Sequence, residues 1–232
     1  MPHHLETVKP VIVFLDFDNT VTRVDVLDAV IEKFSINKDW VSYEEAWKVG
    51  RIGSRECLEA QLQSVRVSKK DLVDYVRTIA LDPFFARLLQ LLKRRRIRCA
   101  IVSDSFSFII KTILRHHGVR GIRIFANELR FKKDRLIPIF PHVSKDCPRC
   151  AHCKKKHILE HADKTAVYIG DGLSDVCPSL EAEIVFAKDS LLDYLKRNGK
   201  ACFKFKDLGD VCAFFEKSKR LHPKSEKVFV TV

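Results

Sequence analysis

The stretch VIVFLDFDNT, residues 11–20, decides the fold. Five apolar residues that end abruptly in carboxylates read as a buried strand delivering charge at its C-terminal edge. Positions two apart in an extended chain project to the same side, so Asp16 and Asp18 can serve one site. Two like charges that close raise the cost of ionisation unless a cation or a proton intervenes. The plainer reading is a strand running into an acidic turn, and the rest of the chain separates the two.

Outward from this stretch, short apolar runs alternate with helical patterns. Candidate strands are Val11–Leu15, Cys99–Val102, Ile122–Phe125, Ala166–Ile169, Glu183–Phe186 and Ala201–Phe205. Helix-like stretches lie at about 82–94, 105–118, 154–163, 174–181, 189–198 and 207–217. Strands joined through helices of this length imply right-handed crossovers and a doubly wound, mostly parallel α/β sheet. A β-turn-β excursion is expected around Asn127–Phe140, where Phe131, Ile137 and Ile139 flank a charged turn.

Residues 22–81 break the alternation with four helical segments near 25–35, 40–49, 54–64 and 69–79. Gly50 and Gly53 read as a helix stop, and Ser54 and Ser68 as N-caps. The expected organisation is a core of residues 1–21 and 82–220, an inserted helical cap of residues 22–81, and a loosely held tail of residues 221–232.

The 232 residues suffice for one large domain with such an insertion, and 46% hydrophobic content argues for a globular chain. No apolar run approaches the roughly 20 residues that span a bilayer, and MPHHLETVKP lacks a secretory h-region. A cytoplasmic location is the default expectation, with the eight cysteines reduced or metal-bound. The net charge of +12 is scattered along the chain. The run KRRRIR at 93–98 falls where a helix should end, a favourable place for cations. No aromatic-interleaved basic stripe accompanies the charge, so nucleic acid is not the expected partner. A positive field that attracts a small phosphorylated metabolite is the simpler reading.

Open parallel sheets bind ligands outside the carboxyl ends of their strands. Three strands end in suitable groups: Asp16-Phe17-Asp18-Asn19-Thr20, Ser103-Asp104-Ser105, and Gly170-Asp171-Gly172-Leu173-Ser174-Asp175. Phosphoryl transfer needs a nucleophile, donors for the equatorial oxygens, and cations for developing charge. Asp16 is the candidate nucleophile and Asp18 the candidate general acid and base. Mg²⁺ prefers hard oxygens, which Asp16, Asp171 and the Asp18 backbone carbonyl supply, with Asp175 completing or orienting the shell. Gly170 and Gly172 would let the backbone turn around the ion. The Ser103 hydroxyl and the Asp104 amide offer donors to phosphate. A cation opposite the metal must come from Lys154, Lys155 or Lys156.

The motifs DFDNT, SDS, CK and GDGLSD resemble the four motifs of the haloacid dehalogenase phosphatases, in the phosphoserine-phosphatase-like branch. The helical insertion after the first motif is similar to that branch's cap. More narrowly, VSDSFSFII, CPRCAHCK and YIGDGLSDVCPSLEAEIVFAKDSLLDYL resemble the methionine-salvage phosphatases acting on 2-hydroxy-3-keto-5-methylthiopentenyl 1-phosphate. The resemblance implies a Mg²⁺-dependent phosphomonoesterase with an aspartyl-phosphate intermediate, and it selects Lys154 as the phosphate-binding lysine. Parts of the motifs are also similar to phosphocholine and phosphoethanolamine phosphatases. Phosphoserine fits less well. The cap glutamate of that enzyme corresponds to Asp25, a shorter acid. Its carboxylate-binding arginine aligns near Glu59, unless Arg51 or Arg55 substitutes. A catalytically silent phospho-ligand or RNA-binding protein on the same fold is the alternative from another class.

Cys147, Cys150 and Cys153, with His142, His152 and His157 nearby, have the spacing of a structural Zn²⁺ site of three thiolates and one imidazole. The competing and favoured reading is ordinary reduced thiols shaping the loop before Lys154. Cys99, Cys177, Cys202 and Cys212 read as small core residues. His116 and His117, before Gly118, complement a helix C-terminus. Phe17, Phe106 and Phe108 read as core rather than as a pocket mouth.

Overall fold

The computed structural model describes residues 9–145, 147 and 149–218; the expected tail of residues 221–232 lies outside them. Val11–Leu15 forms β1, and its neighbours are β2 (Arg98–Phe106) and β5 (Thr165–Gly170). β3 (Arg123–Lys132) and β4 (Arg135–Ile139) extend the sheet beyond β2, and β6 (Ile184–Ala187) and β7 (Phe203–Lys204) extend it beyond β5. The order is β4-β3-β2-β1-β5-β6-β7, and every pairing is parallel except β3 with β4. The chain builds outward from β1 on one side and then returns to build on the other. The crevice at the C-terminal ends of β1 and β5 is therefore a topological switch point.

Burial on both faces explains the unbroken apolar run of β1. Val13 and Leu15 join one core cluster, while Ile12 and Phe14 join the other. β5 repeats the division, with Val167 and Ile169 on one face and Ala166 and Tyr168 on the other. The first face is covered by α5 (Phe85–Arg94), α6 (Ser107–His116) and α10 (Leu208–Lys217). The second is covered by α7 (Lys154–Leu159), α8 (Val176–Glu181) and α9 (Asp189–Arg197).

Between β1 and α5 lie four helices: α1 (Val26–Phe34), α2 (Trp40–Lys48), α3 (Ser54–Gln63) and α4 (Lys69–Val76). A bridge between Thr22 and Leu81 closes the base of this insertion. Its apolar residues Val30, Ile31, Leu62 and Leu72 belong to the same cluster as Leu88 and Ile113, so its core is continuous with one sheet face. The insertion also leans on the β3–β4 excursion, where the Val67 amide donates to Asp134 O at 2.8 Å. Ser68 caps α4 as expected, but Gly53 precedes α3 and Ser54 is its first residue. A Cβ on Gly53 would lie 2.4 Å from Arg149 O, so glycine there permits close approach of the insertion to the loop before α7.

Two sequence expectations shift. β2 does not stop at Val102; it continues to Phe106 with an irregular register against β3, and α6 starts at Ser107. Such an irregularity re-aims side chains at a strand end. Cys177 is exposed rather than a core residue, whereas Cys212 is buried and Cys99 and Cys202 are half-buried. Phe17 and Phe106 are fully buried, and Phe108 packs edge-on against Phe131. His117 Nε2 lies 2.8 Å from Ile79 O, at the end of the insertion.

One buried carboxylate joins both ends of the core. Asp82 accepts from the Phe84 amide at 2.8 Å and from the Leu208 amide at 3.2 Å, serving the starts of α5 and α10 together. Asp82→Ala leaves both amides without that partner and should cost about 1–3 kcal/mol. Urea denaturation of the two proteins measures the difference.

Candidate active site

The three acidic strand ends converge. Past β1 the Asp16 amide still donates to Ile169 O at 2.9 Å, which pins Asp16 beside β5. A turn follows in which Asn19 takes φ 53°, a left-handed conformation that asparagine tolerates well. Carboxylate oxygens of Asp16, Asp171 and Asp175 all lie within 4.8 Å of one another, and all three residues are buried. The sequence chose among three lysines only by resemblance, whereas the structure separates them physically. Lys154 is 3% exposed, and its Nζ donates to Asp16 Oδ1 at 2.6 Å, Asp175 Oδ1 at 2.7 Å and Ser174 Oγ at 3.1 Å. Lys155 and Lys156 turn outward to Glu181 and Glu160.

Asp175 is fully committed. Its Oδ1 accepts from Lys154 and from Tyr168 OH at 2.6 Å; its Oδ2 accepts from the Asp171 and Gly172 amides at 3.0 and 3.1 Å. This carboxylate orients the site more than it offers a free ligand. Gly170 is required for its approach, because a Cβ there would sit 2.5 Å from Asp175 Oδ2. Gly172 has open space and an extended φ of −111°, so the expected turn around the ion does not depend on it. Thr20 donates to Asp171 Oδ1 at 3.0 Å.

Asp18 stands at the border with the insertion. Its Oδ1 accepts from the Val26 amide at the start of α1 at 2.9 Å, and its Oδ2 faces Ser103 Oγ at 3.3 Å. Ser103 is fully buried and also accepts from the Ser105 amide at 2.9 Å. The Ser103 hydroxyl thus turns to Asp18 and Ser105, on the extended end of β2. Asp104 and Ser105 line the cleft instead. The Asp104 carbonyl accepts from Asn127 Nδ2 at 2.7 Å, which holds the irregular strand end in place.

The cleft over these groups encloses about 700 Å³, including solvent at its mouth. Its far wall comes from the insertion: Asp25, Leu27 and Asp28 of the first helix and its cap, Glu44 and Trp47 of α2, and Ser54, Cys57, Leu58 and Gln61 of α3. Arg51 and Arg55, the candidate leaving-group readers, do not line it. Arg55 pairs with Glu59 at 3.1 Å, one turn further along an exposed helix face. Lys154 is the lone basic residue among the cleft-lining residues described.

Crowded carboxylates hold protons more tightly. Burial, then the Asp175 charge, raises Asp16 well above the usual carboxylate range, with Lys154 opposing. Burial and Asp25 raise Asp18 in the same direction, against the Val26 amide. Burial and Asp175 push Asp171 up to about 7, and burial pushes Asp104 to about 6. Burial disfavours the Lys154 ammonium, yet Asp16 and Asp175 outweigh it and keep it charged. This donor set of convergent, buried, proton-hungry oxygens suits a hard divalent cation, with Asp16 and Asp171 the carboxylates free to ligate.

The residues foreseen at the site, Asp16, Asp18, Asp104, Lys154, Asp171 and Asp175, come together, with Ser103 directly behind Asp18. Sequence reasoning missed three supports. Tyr168 carries the only hydroxyl in the apolar run AVYI, which was the available signal. Thr20 and Ser174 lie inside motifs already noted, but their partners became visible only in three dimensions.

The family described as "Putative Phosphatase" matches residues 11–190. The chain belongs to this family. Its members are haloacid dehalogenase-type phosphatases, so the chain is a phosphoric monoester hydrolase. Curated relatives include two proteins named 2-hydroxy-3-keto-5-methylthiopentenyl-1-phosphate phosphatase. The one from Brevibacillus brevis is 26% identical, covering 80% of this chain and 86% of the relative. The one from Geobacillus kaustophilus is 27% identical, covering 88% and 94%. Pdp3-interacting factor 1 of Schizosaccharomyces pombe is 27% identical over 88% of this chain and 93% of its own. Among solved structures, a phospho-aspartyl intermediate analogue of phosphoserine phosphatase superposes with TM-score 0.71 at 17% identity, covering 90% of this chain and 99% of the other. A substrate-bound phosphoserine phosphatase complex gives 0.69 at 18%, with the same coverage. These likenesses establish the α/β fold expected from the sequence. Among the described residues, no helix is long and apolar enough to cross a membrane.

A divalent cation held by Asp16 and Asp171 would need the ionised form of Asp171, whose carboxyl is raised to about 7. Mg²⁺ affinity should therefore rise with pH, and below about 7 fall about tenfold per unit for each proton displaced. Titration calorimetry with Mg²⁺ between pH 5.5 and 8 checks the slope, which Asp171→Asn should flatten.

Proposed function

We propose that the chain is a Mg²⁺-dependent phosphomonoesterase that hydrolyses a small phosphorylated metabolite in the cytoplasm through an aspartyl-phosphate on Asp16. One observation carries the reading: Asp16 sits between the Lys154 ammonium and the Asp171 carboxylate, with Asp18 beside it on the cleft side. A carboxylate attacking a phosphate dianion needs positive charge on both flanks. When bound by Asp16, Asp171 and the Asp18 carbonyl, Mg²⁺ supplies one flank by offsetting charge on the phosphoryl oxygens.

The protein's own groups do the rest. Asp16 forms a bond to phosphorus as the ester oxygen departs, and Asp18 gives that oxygen its proton. Burial and the Asp25 charge raise the proton affinity of Asp18, which favours the protonated form that this step uses. Asp18, now ionised, then takes a proton from water; the resulting hydroxide attacks phosphorus and frees both Asp16 and inorganic phosphate. Lys154 follows the phosphoryl oxygens through both steps, and Asp175 and Tyr168 fix its position. Asp104 and Ser105 border the phosphate, and Ser103 orients Asp18. The helical insertion acts as the cap that excludes water and contacts the leaving group.

The cap wall favours an alcohol without a carboxylate, either neutral or amine-bearing. Asp25, Asp28 and Glu44 face the cleft there, and among the described residues no arginine lines it. The carboxylate of phosphoserine would meet like charge, whereas an ammonium group would meet acceptors and the Trp47 ring. The keto-enol phosphate named for the bacterial relatives also lacks a carboxylate, and its apolar tail matches Leu27 and Leu58.

Asp16→Asn should reduce Mg²⁺-dependent phosphate release from a generic ester at least about 10³-fold, with circular dichroism unchanged. Undiminished turnover in that variant would remove the nucleophile from the proposal. Across a panel of phosphorylated metabolites, phosphoethanolamine should exceed phosphoserine in kcat/KM by about tenfold or more, the equivalent of one repulsive contact. A preference for phosphoserine would overturn the reading of the cap wall.

A further inference from the structure

A second convergence of ligand-type atoms lies behind Lys154. His142 follows β4, His152 precedes α7, and His157 lies within it. One ring nitrogen from each lies within 4.8 Å of the others. His152 and His157 are 2% and 3% exposed, and their Nε2 atoms face each other at 2.8 Å. The His142 ring centre is 4.6 Å from that of His152 and 5.3 Å from that of His157. Phe125 of β3 stacks on His157 at 4.1 Å and fixes its plane. The zinc set that the cysteine spacing offered, beside the favoured reading of ordinary thiols, differs. Cys147 and Cys150 face each other at 3.3 Å, but among the described residues the three thiols do not form a convergent ligand group, whereas the three imidazoles do.

Ordinary core packing explains the histidines poorly. A single proton shared between the two Nε2 atoms satisfies one donor and one acceptor. Nδ1 of His152 and Nδ1 of His157 remain buried without a hydrogen-bond partner. Three ring nitrogens within 4.8 Å of one another, two of them on buried imidazoles, make a donor set that suits an acceptor of electron pairs. We propose that His142, His152 and His157 form a Zn²⁺ site that braces the loop–helix junction delivering Lys154, with water in the fourth position.

The chemistry suits that ion. Imidazole is a preferred zinc ligand, and three histidines plus water complete a tetrahedron. Zn–N bonds of about 2.0–2.1 Å place tetrahedral ligand nitrogens about 3.3 Å apart, so the Nε2 pair need open only by about half an ångström. Coordination at Nε2 puts a proton on Nδ1, and for His157 a carboxylate oxygen of Glu160 stands 3.7 Å away to receive it. Both inner imidazoles are buried among other side chains, which favours the neutral form that ligates a metal. Position in the chain gives the site its consequence: His152 lies two residues before Lys154 and His157 three after it. A bound ion would tie both flanks of the lysine to the loop after β4, to which the Cys153 amide already bonds through His142 O at 2.9 Å.

The test uses the full chain purified without a polyhistidine tag, incubated with Zn²⁺, desalted and analysed by mass spectrometry for metal. About one zinc per chain is expected, retained in Cys147→Ser and in Asp171→Asn and lost in the half-exposed variant His142→Ala. Cobalt substitution of the wild-type chain supplies a readout that needs no variant. Visible d–d bands of a tetrahedral nitrogen site, without thiolate-to-cobalt charge transfer, are expected. Zinc absent from the desalted wild-type chain, thiolate charge transfer, or zinc that survives His142→Ala while following Cys147 or Asp171 would each overturn the site. None of these outcomes depends on phosphatase turnover, so the zinc site and the proposed reaction stand or fall separately.

Discussion

The buried ammonium of Lys154, held between Asp16 and Asp175, is the interaction on which the site depends. An ammonium removed from water is costly unless opposite charges and hydrogen bonds surround it, and here two carboxylates and a hydroxyl do so. The balance is deliberately incomplete. Asp16, Asp171 and Asp175, when ionised, carry three negative charges against one positive. The remaining two are what a single Mg²⁺ carries, which ties the proton affinities of the carboxylates to the presence of the ion. Without a cation the cluster holds its protons tightly; a divalent cation there would favour the ionised carboxylates.

The sheet makes this arrangement possible, because neighbouring parallel strands end at the same level. Asp16 and Asp171 arrive from β1 and β5 at the switch point, so no long loop is needed to bring them together. Lys154 comes from outside the parallel strands, as the first residue of α7. It reaches the site through the β3–β4 excursion and the loop before α7, which gives that loop a positioning task that the strands do not have. Two members of the imidazole cluster, His152 and His157, flank this lysine in the chain.

The fold was legible in the sequence because its periodicities are simple. Val13 and Leu15 against Ile12 and Phe14 alternate as a strand covered on both sides must, and glycines and charged runs mark the connections. The strand-end acids were legible for the same reason. The fate of Ser103 was not: a hydroxyl followed by an acid reads as a turn, and only the register irregularity of β2 against β3 shows the strand continuing and the hydroxyl turning to Asp18. The cysteine spacing left zinc open beside the favoured reading of ordinary thiols, because spacing reports proximity along the chain, whereas ligation depends on where side chains point. The histidines interleaved with them converge although their spacing, ten residues and then five, matches no short motif.

The insertion is coupled to the chemistry through Asp18 more than through shape. The first amide of α1 donates to the Asp18 carboxylate, and Asp25 stands next to it. These act in opposite directions: the amide stabilises the ionised form, while burial and the Asp25 charge favour the protonated form. Moving α1 away from the core changes all three at once and exposes Asp18 to water, returning it toward an ordinary carboxylate. Meanwhile α3 is tied to the loop before α7, where Ser54 Oγ accepts from the Ala151 amide at 2.8 Å and Arg149 donates to Gly50 O. A cap pivoting about those bonds would swing α1 while leaving Lys154 in place. Cap position would then set the proton on Asp18, making the acid competent only over an enclosed substrate.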